Sequence, residues 1–168
     1  VGLLSVDIPG AVVLKPLVGT SGHMVQAFES VEEATKYAIS SQVEAWTLSP
    51  RRNIVREMRF IVLDGDILLA YEKQEPTQNG NLSMFNLGRG AIPKDINPTT
   101  ELIDLALQAR RVLDLRVCAV DIVELASGEL LVLEVNDGIM MEYYSRHSSE
   151  NAIKARSVYE SIIQKMLL

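Results

Sequence analysis

Along this chain the apolar residues change their period several times, and each change predicts an element. Ala11 to Leu14 is a short apolar run rich in β-branched residues. Lys15-Pro16 and Gly19-Thr20-Ser21-Gly22 interrupt it, and apolar character resumes at Met24, which predicts strand, loop and strand. Ser30-Val31-Glu32-Glu33 has capping-box spacing, and Val31, Ala34, Tyr37 and Ala38 recur at helical intervals, so a helix of about three turns should follow. Val43 to Trp46 is a short strand candidate, whereas Leu48 to Val55, with Pro50 and two arginines, reads as loop. From Glu57 the period becomes two: Met58, Phe60 and Val62 alternate with Arg59, Ile61 and Leu63. Asp64-Gly65 then turns the chain into Asp66 to Tyr71, a hairpin.

The polar stretch Gln74 to Ser83, with Pro76 and Asn79-Gly80, is expected to be a mobile loop. Thr99 or Thr100 can cap a helix that puts Leu102, Ile103, Ala106, Ala109 and Leu113 on one face. Val117 to Leu125, Ser127-Gly128 and Leu130 to Val135 form a second hairpin. Its arms are apolar on both faces, as in a sheet covered by helices on at least one side. Ser149 to Leu168 is amphipathic, with Ala152, Ala155, Tyr159, Ile162 and Met166 on one side, and predicts a docking helix.

Composition narrows the functional classes. Of 168 residues, 48% are hydrophobic and 23% charged, enough for a packed core and unlike a disordered chain. Sixteen basic residues against 22 acidic ones leave a net charge of −6, which argues against a surface built for nucleic-acid phosphates or anionic lipid. The single cysteine, Cys118, can form neither an internal disulfide nor a zinc knuckle, and no apolar run reaches the roughly 18 residues of a membrane span. A cytoplasmic protein is the expectation, with no nucleic-acid or membrane partner. The chain starts at Val1 and reads as a portion of a longer one.

The second hairpin carries candidate chemistry. If Ser127-Gly128 is a two-residue turn, cross-strand partners have numbers that sum to 255, Asp121 lies opposite Glu134, and Asn136 shares their face. Like charges opposed on an apolar face need compensation. A hard divalent cation such as Mg²⁺ provides it with oxygen ligands. Ion pairing of Glu134 with Arg59 or Arg89, with Asp121 hydrated near the sheet edge, is the structural alternative. A one-residue slip would separate the two carboxylates altogether.

Lys15 followed by Gly19-x-x-Gly22 is not a P-loop, because the lysine precedes the glycines. An ammonium beside unobstructed backbone amides can still hold phosphate. An ordinary hairpin turn with a solvated lysine explains the same residues.

The order of these features is more specific than any one of them. Val12-Val13-Leu14-Lys15-Pro16-Leu17 with Gly19-Thr20-Ser21-Gly22 comes first, then Arg56-Glu57-Met58-Arg59-Phe60 and Asn86-Leu87-Gly88-Arg89-Gly90. Val120-Asp121-Ile122 and Leu133-Glu134-Val135-Asn136 complete the series. Together they resemble the ATP-grasp superfamily, in particular its glutathione-synthetase-like and ribosomal-protein glutamate ligase branch, from about Val12 to Leu168.

The resemblance implies an α+β ATP-grasp fold, two small lobes with nucleotide held between antiparallel sheets. Residues 1–46 would be a partial first lobe and 47–168 the second, with the amino-terminal domain of the family absent. It implies an ATP-dependent carboxylate-amine ligase working through an acyl phosphate and releasing ADP and phosphate. An ATP-binding module without turnover, or a metal-dependent phosphotransferase, would use the same cleft. The implied cofactors are ATP and Mg²⁺, with Mn²⁺ as a substitute, and the substrates a carboxylate and an amine from amino acids or peptides. A homo-oligomer is compatible with it.

By motif, Lys15, Gly19, Thr20, Ser21 and Gly22 would hold phosphates, Glu44, Ala45 and Trp46 would form the adenine hinge, and Asn86 would line the nucleotide site. Arg59 and Arg89 would face the transferred phosphoryl group, and Asp121, Glu134 and Asn136 would hold the metal. Phosphoryl transfer rests on positioning and charge neutralisation, which suits two arginines, a lysine and a metal without a covalent nucleophile. The chain departs from the pattern at Met24, where a third glycine is usual. It departs again at Asp137-Gly138-Ile139, where Ser-Pro-Gly is common, and at Ala91, where a second glycine is frequent. Of the remaining polar residues, Lys73 precedes the polar loop within reach of a phosphate, and Arg51-Arg52 reads as a solvated pair.

Overall fold

The computed structural model describes residues 8–19, 22–80 and 82–167. Thr20 and Ser21 of the expected phosphate loop lie outside them. A three-stranded antiparallel sheet opens the fold, built from β1 (Val12–Pro16), β2 (Gln26–Phe28) and β3 (Trp46–Pro50) in the order β2-β1-β3. Helix α1 (Val31–Ser40) packs on one face, where Val12, Leu14 and Ala34 are buried with Trp46 and Leu48 against them. The capping box is present in modified form: Ser30 Oγ accepts from the Glu33 amide at 3.3 Å, while Glu33 reaches one residue further back, to the Glu29 amide at 3.2 Å.

The expected strand at Val43 to Trp46 and loop at Leu48 to Val55 are corrected together. The strand begins at Trp46, runs to Pro50, and leaves only residues 51–53 as connection. Pro50 misled the reading because a proline is tolerated at the end of an edge strand, which is what β3 is. The chain passes from the first sheet to the second at residues 51–53.

The second sheet has the order β10-β9-β4-β5-β8, made by β4 (Ile54–Leu63), β5 (Asp66–Gln74), β8 (Ile92–Asp95), β9 (Val117–Leu125) and β10 (Leu130–Asn136). Period two along β4 and β9 divides it into two cores. Met58, Phe60, Val62, Cys118, Val120 and Ile122 face α2 (Thr100–Val112), whose buried residues are Leu102 and Ala106. Ile61, Leu63, Tyr71 and Ala119 face α3 (Glu142–His147) and α4 (Ser149–Met166) on the other side.

Three further expectations are corrected. Gln74 to Ser83 is not a structureless loop, since β6 (Thr77–Asn79) pairs with β7 (Leu82–Met84) across the Asn79-Gly80 turn signal. The buried stripe of α4 is Ala155, Val158 and Ile162, rotated from the expected one, with Ala152, Tyr159 and Met166 exposed. The β9–β10 turn has three residues, Ala126-Ser127-Gly128, closed by the Gly128 amide on the Leu125 carbonyl at 2.8 Å with Gly128 at a φ of +86°. Pairing near the turn consequently sums to 254, as in Leu130 with Glu124. A bulge at Leu133 adds one residue to β10 and restores 255, so that Glu134 pairs with Asp121 and Asn136 with Ala119. The expected pairing holds, although neither the turn nor the bulge on which it depends was foreseen.

Candidate functional site

Strand register and alternation carry five charged side chains to one face of the second sheet. Arg59 on β4 lies directly opposite Asp121 on β9, and Asp121 opposite Glu134 on β10. Glu57 precedes Arg59 by two residues and Lys73 follows Tyr71 by two, so both share that face. Asp121 is 1% exposed. Arg59 grips it with two bonds, Nε to Oδ1 at 2.7 Å and Nη2 to Oδ2 at 2.6 Å, and Lys73 Nζ donates to Oδ2 at 3.0 Å. Lys73, 6% exposed, also donates to Glu57 Oε1. Glu134, on the edge strand and with its side chain 46% exposed, stands 3.8 Å from Arg59 and accepts from Asn136 Nδ2 at 3.0 Å.

The electrostatics follow from this packing. Burial alone would raise the Asp121 carboxyl, but the Arg59 hydrogen bonds and the Lys73 charge outweigh it and hold the group below its ordinary value. Glu57 goes the other way, since burial dominates over its attraction to Lys73. Burial also pushes the Tyr71 hydroxyl up to about 12. Three carboxylates face two cations, and the deficit sits toward the exposed side, at Glu134 and Asn136.

This donor set fits a hard divalent cation in chemistry: two carboxylates and an amide oxygen on one face, with room at the solvent side. Among the described residues no three His, Cys, Asp or Glu side chains gather round one point. The expected set contains only two such groups, and one of them, Asp121, is engaged by Arg59 and Lys73.

Arg89 belongs to a different contact. It ends the 3-10 turn Leu87–Arg89, which Asn86 caps by accepting from the Gly88 amide at 2.8 Å, and its Nη2 donates to the Gly22 carbonyl at 3.2 Å. The second sheet's side of the molecule thus touches the expected phosphate loop. Asn79 Nδ2 adds a bond to the Val25 carbonyl at 3.0 Å. A cleft of about 360 Å³ lies here, lined by Met24, Val25, Gln26, Ala27, Asn79, Gly80 and Arg89. Gly22 sits so close to Met84 that an added Cβ would come within 2.4 Å of the methionine methyl, and its φ is +66°. Arg89 is not the partner foreseen as an alternative for Glu134; that part falls, at long range, to Arg59.

Lys15 is half-buried on β1 and, by period two, faces away from the α1 core with Val13. Gly19 is exposed. In the expected hinge, Glu44 and Ala45 are exposed and the Ala45 carbonyl accepts from the Leu17 amide at 2.9 Å. Trp46 turns its indole toward α1, where it donates to Ser41 Oγ at 3.1 Å, meets Tyr37 edge-on at 5.8 Å and packs against the core of the first sheet.

Sequence reading left Glu57 unassigned and gave Lys73 only a reach toward phosphate. Alternation along β4 and β5 was the available signal, since it puts Glu57 with Arg59 and Lys73 with Tyr71.

The RimK-like ATP-grasp domain family matches residues 5–161. No curated protein matches the chain. Among solved structures the chain is similar to the ATP-grasp ligase PsnB complexed with a phosphomimetic variant of its minimal precursor, Mg and ADP. The TM-score there is 0.61 at 18% identity, over 83% of this chain and 42% of that one. It is similar to a Chryseobacterium gregarium RiPP-associated ATP-grasp ligase in complex with ADP and a leader and core peptide, with a TM-score of 0.61 at 17% identity over 92% and 49%. D-alanine–D-alanine ligase from Bacillus anthracis, complexed with ATP, gives 0.62 at 17% identity over 94% and 52%. The chain spans about half the length of these structures, and at such identities the likeness is one of fold. With the family match covering nearly all of its residues, the α+β chain of two antiparallel sheets described above belongs to the RimK-like ATP-grasp domain family.

Proposed function

We propose that the protein is the ATP-grasp portion of an ADP-forming carboxylate-amine ligase that works through an acyl phosphate. The observation that carries this reading is the contact of Arg89 with the Gly22 carbonyl, which brings a permanently charged guanidinium to the glycine loop beside the cleft. In this reading Lys15 and residues 19–25 hold the ATP phosphates, Asp121, Glu134 and Asn136 hold Mg²⁺ or Mn²⁺, and the backbone at Glu44, Ala45 and Trp46 receives adenine. Mg²⁺ would neutralise phosphate charge as a Lewis acid. Arg59 orients Asp121, and Arg89 faces the phosphoryl group in transfer. The acid and the amine would come from amino acids or peptides, as the bound peptides of PsnB and the Chryseobacterium ligase suggest.

The test is ADP release in the presence of Mg·ATP and a panel of amino acids and short peptides. Release that needs both a carboxylate and an amine supports the ligase. Tight ATP binding without release under any pairing would favour the binding module. Arg89→Ala should lower kcat at least tenfold with little change in ATP affinity, because a group that meets charge developing in transfer acts on the transition state. Its melting temperature should stay near that of the parent, since Arg89 is exposed.

A further inference from the structure

The two cations of the site, half-buried Arg59 and buried Lys73, divide their work unequally. Arg59 engages both Asp121 oxygens and no other carboxylate within hydrogen-bonding distance, whereas Lys73 bridges Asp121 Oδ2 and Glu57 Oε1. Lys73 therefore has a second anchor that would keep its ammonium paired if Asp121 turned to another cation. We propose that Lys73 is a positioning residue that acts as the built-in counter-ion of the metal carboxylates. It competes with a divalent cation for Asp121 Oδ2 and retreats onto Glu57 when the cation binds. The inference rests on the metal reading of Asp121, Glu134 and Asn136.

Three observations support it. Lys73 is buried, so its charge acts on Asp121 with little screening by solvent. Glu57, also buried, has Lys73 as its one hydrogen-bonded cation among the described residues; beyond it stand the like charge of Asp121 and the more distant, opposite charge of Arg59. Glu57 is thus a buried carboxylate whose evident use is to hold that lysine. Glu134 and Asn136, at the solvent side, have no such lysine and are the groups a cation would meet first. A site of this construction resists bare metal and favours metal that arrives with phosphate, whose negative charge repays the displacement of the lysine.

The experiment is a titration with Mg²⁺ or Mn²⁺ alone, without nucleotide, read by calorimetry and by the metal-dependent shift in melting temperature. Lys73→Met removes the competitor but strands Glu57, so the decisive variant is the double Lys73→Met/Glu57→Gln, which keeps the net charge of the cluster and leaves no buried carboxylate unpaired for want of the lysine. It should bind bare metal at least tenfold more tightly than the parent and show the larger metal-induced rise in melting temperature. Lys73→Arg, which retains the charge, should not gain. Affinity in the double variant equal to the parent's would overturn the proposal. Adding Glu134→Gln to the double variant separates the two claims. If the tight binding persists without Glu134, the metal reading fails; if it vanishes while the double variant shows its gain, both stand.

Discussion

Met24 adopts a φ of +59°, in the left-handed region that costs a residue with a Cβ about 1 to 2 kcal/mol. The resemblance implies a glycine at this position, and Met24 holds a backbone conformation that a glycine would adopt without strain. Met24→Gly should therefore leave stability unchanged or raise it by up to about 1 kcal/mol, the relieved strain being partly offset by the freedom glycine loses on folding. Chemical denaturation checks this, and a loss larger than that would mean the methionine side chain is what shapes the loop. Asp121 offers a pH test. Its carboxyl is held below the ordinary value, so its stabilising contribution is complete above about pH 4, the unfolded value, and is lost as pH falls through the folded one. The stability difference between the parent and Asp121→Asn should be constant near neutrality and shrink in acid; a gap that widened in acid would contradict the assignment. Glu57, raised by burial, titrates with the opposite sign.

At the scale of elements, period and caps were legible and rotation was not. Ser30 and Thr99 announced their helices because a hydroxyl at that spacing meets an orphan amide, and both caps are present at 3.3 and 3.4 Å. The α4 stripe was read about one position out, because Tyr159 and Met166 are apolar by type yet lie at the margin of the helix interface. Val158 and Met166 distinguish the two readings, being 5% and 58% exposed. Val158→Ala should cost about 1 to 3 kcal/mol, as the loss of buried methyl groups does, and Met166→Ala should stay within about 0.5 kcal/mol. Equal losses would restore the expected stripe. Of the site, alternation placed Glu134 and Asn136 on one face, whereas Asp121 opposite Glu134 followed from a two-residue turn that the structure replaces by three residues and a compensating bulge at Leu133. The bidentate hold of Arg59 was not readable, because it depends on how β4 and β9 align, and strands that far apart in sequence carry no turn to fix their register.

For the whole molecule, the two sheets meet through the β6–β7 hairpin and Arg89 as well as through residues 51–53, and Gly22 is where that contact is tightest. Gly22→Ala would collide with Met84 and sit at an unfavourable φ. Pairing it with Met84→Ala should recover the collision but not the backbone cost, so nucleotide affinity should return only in part, as fluorescence titration with an ATP analogue would measure. Full recovery would locate the whole effect in the side chains. The bulge at Leu133 bears on how such proteins are compared with one another. Leu133 is the unpaired residue of β10, and removing it would join Val132, opposite Ile122, directly to Glu134, opposite Asp121, with both pairings kept. The two carboxylates can therefore face each other from a separation of thirteen positions in the chain or from one fewer. A motif search that fixed the spacing between them would split proteins with the same constellation into separate groups, whereas one that let that spacing vary by a single position would keep them together.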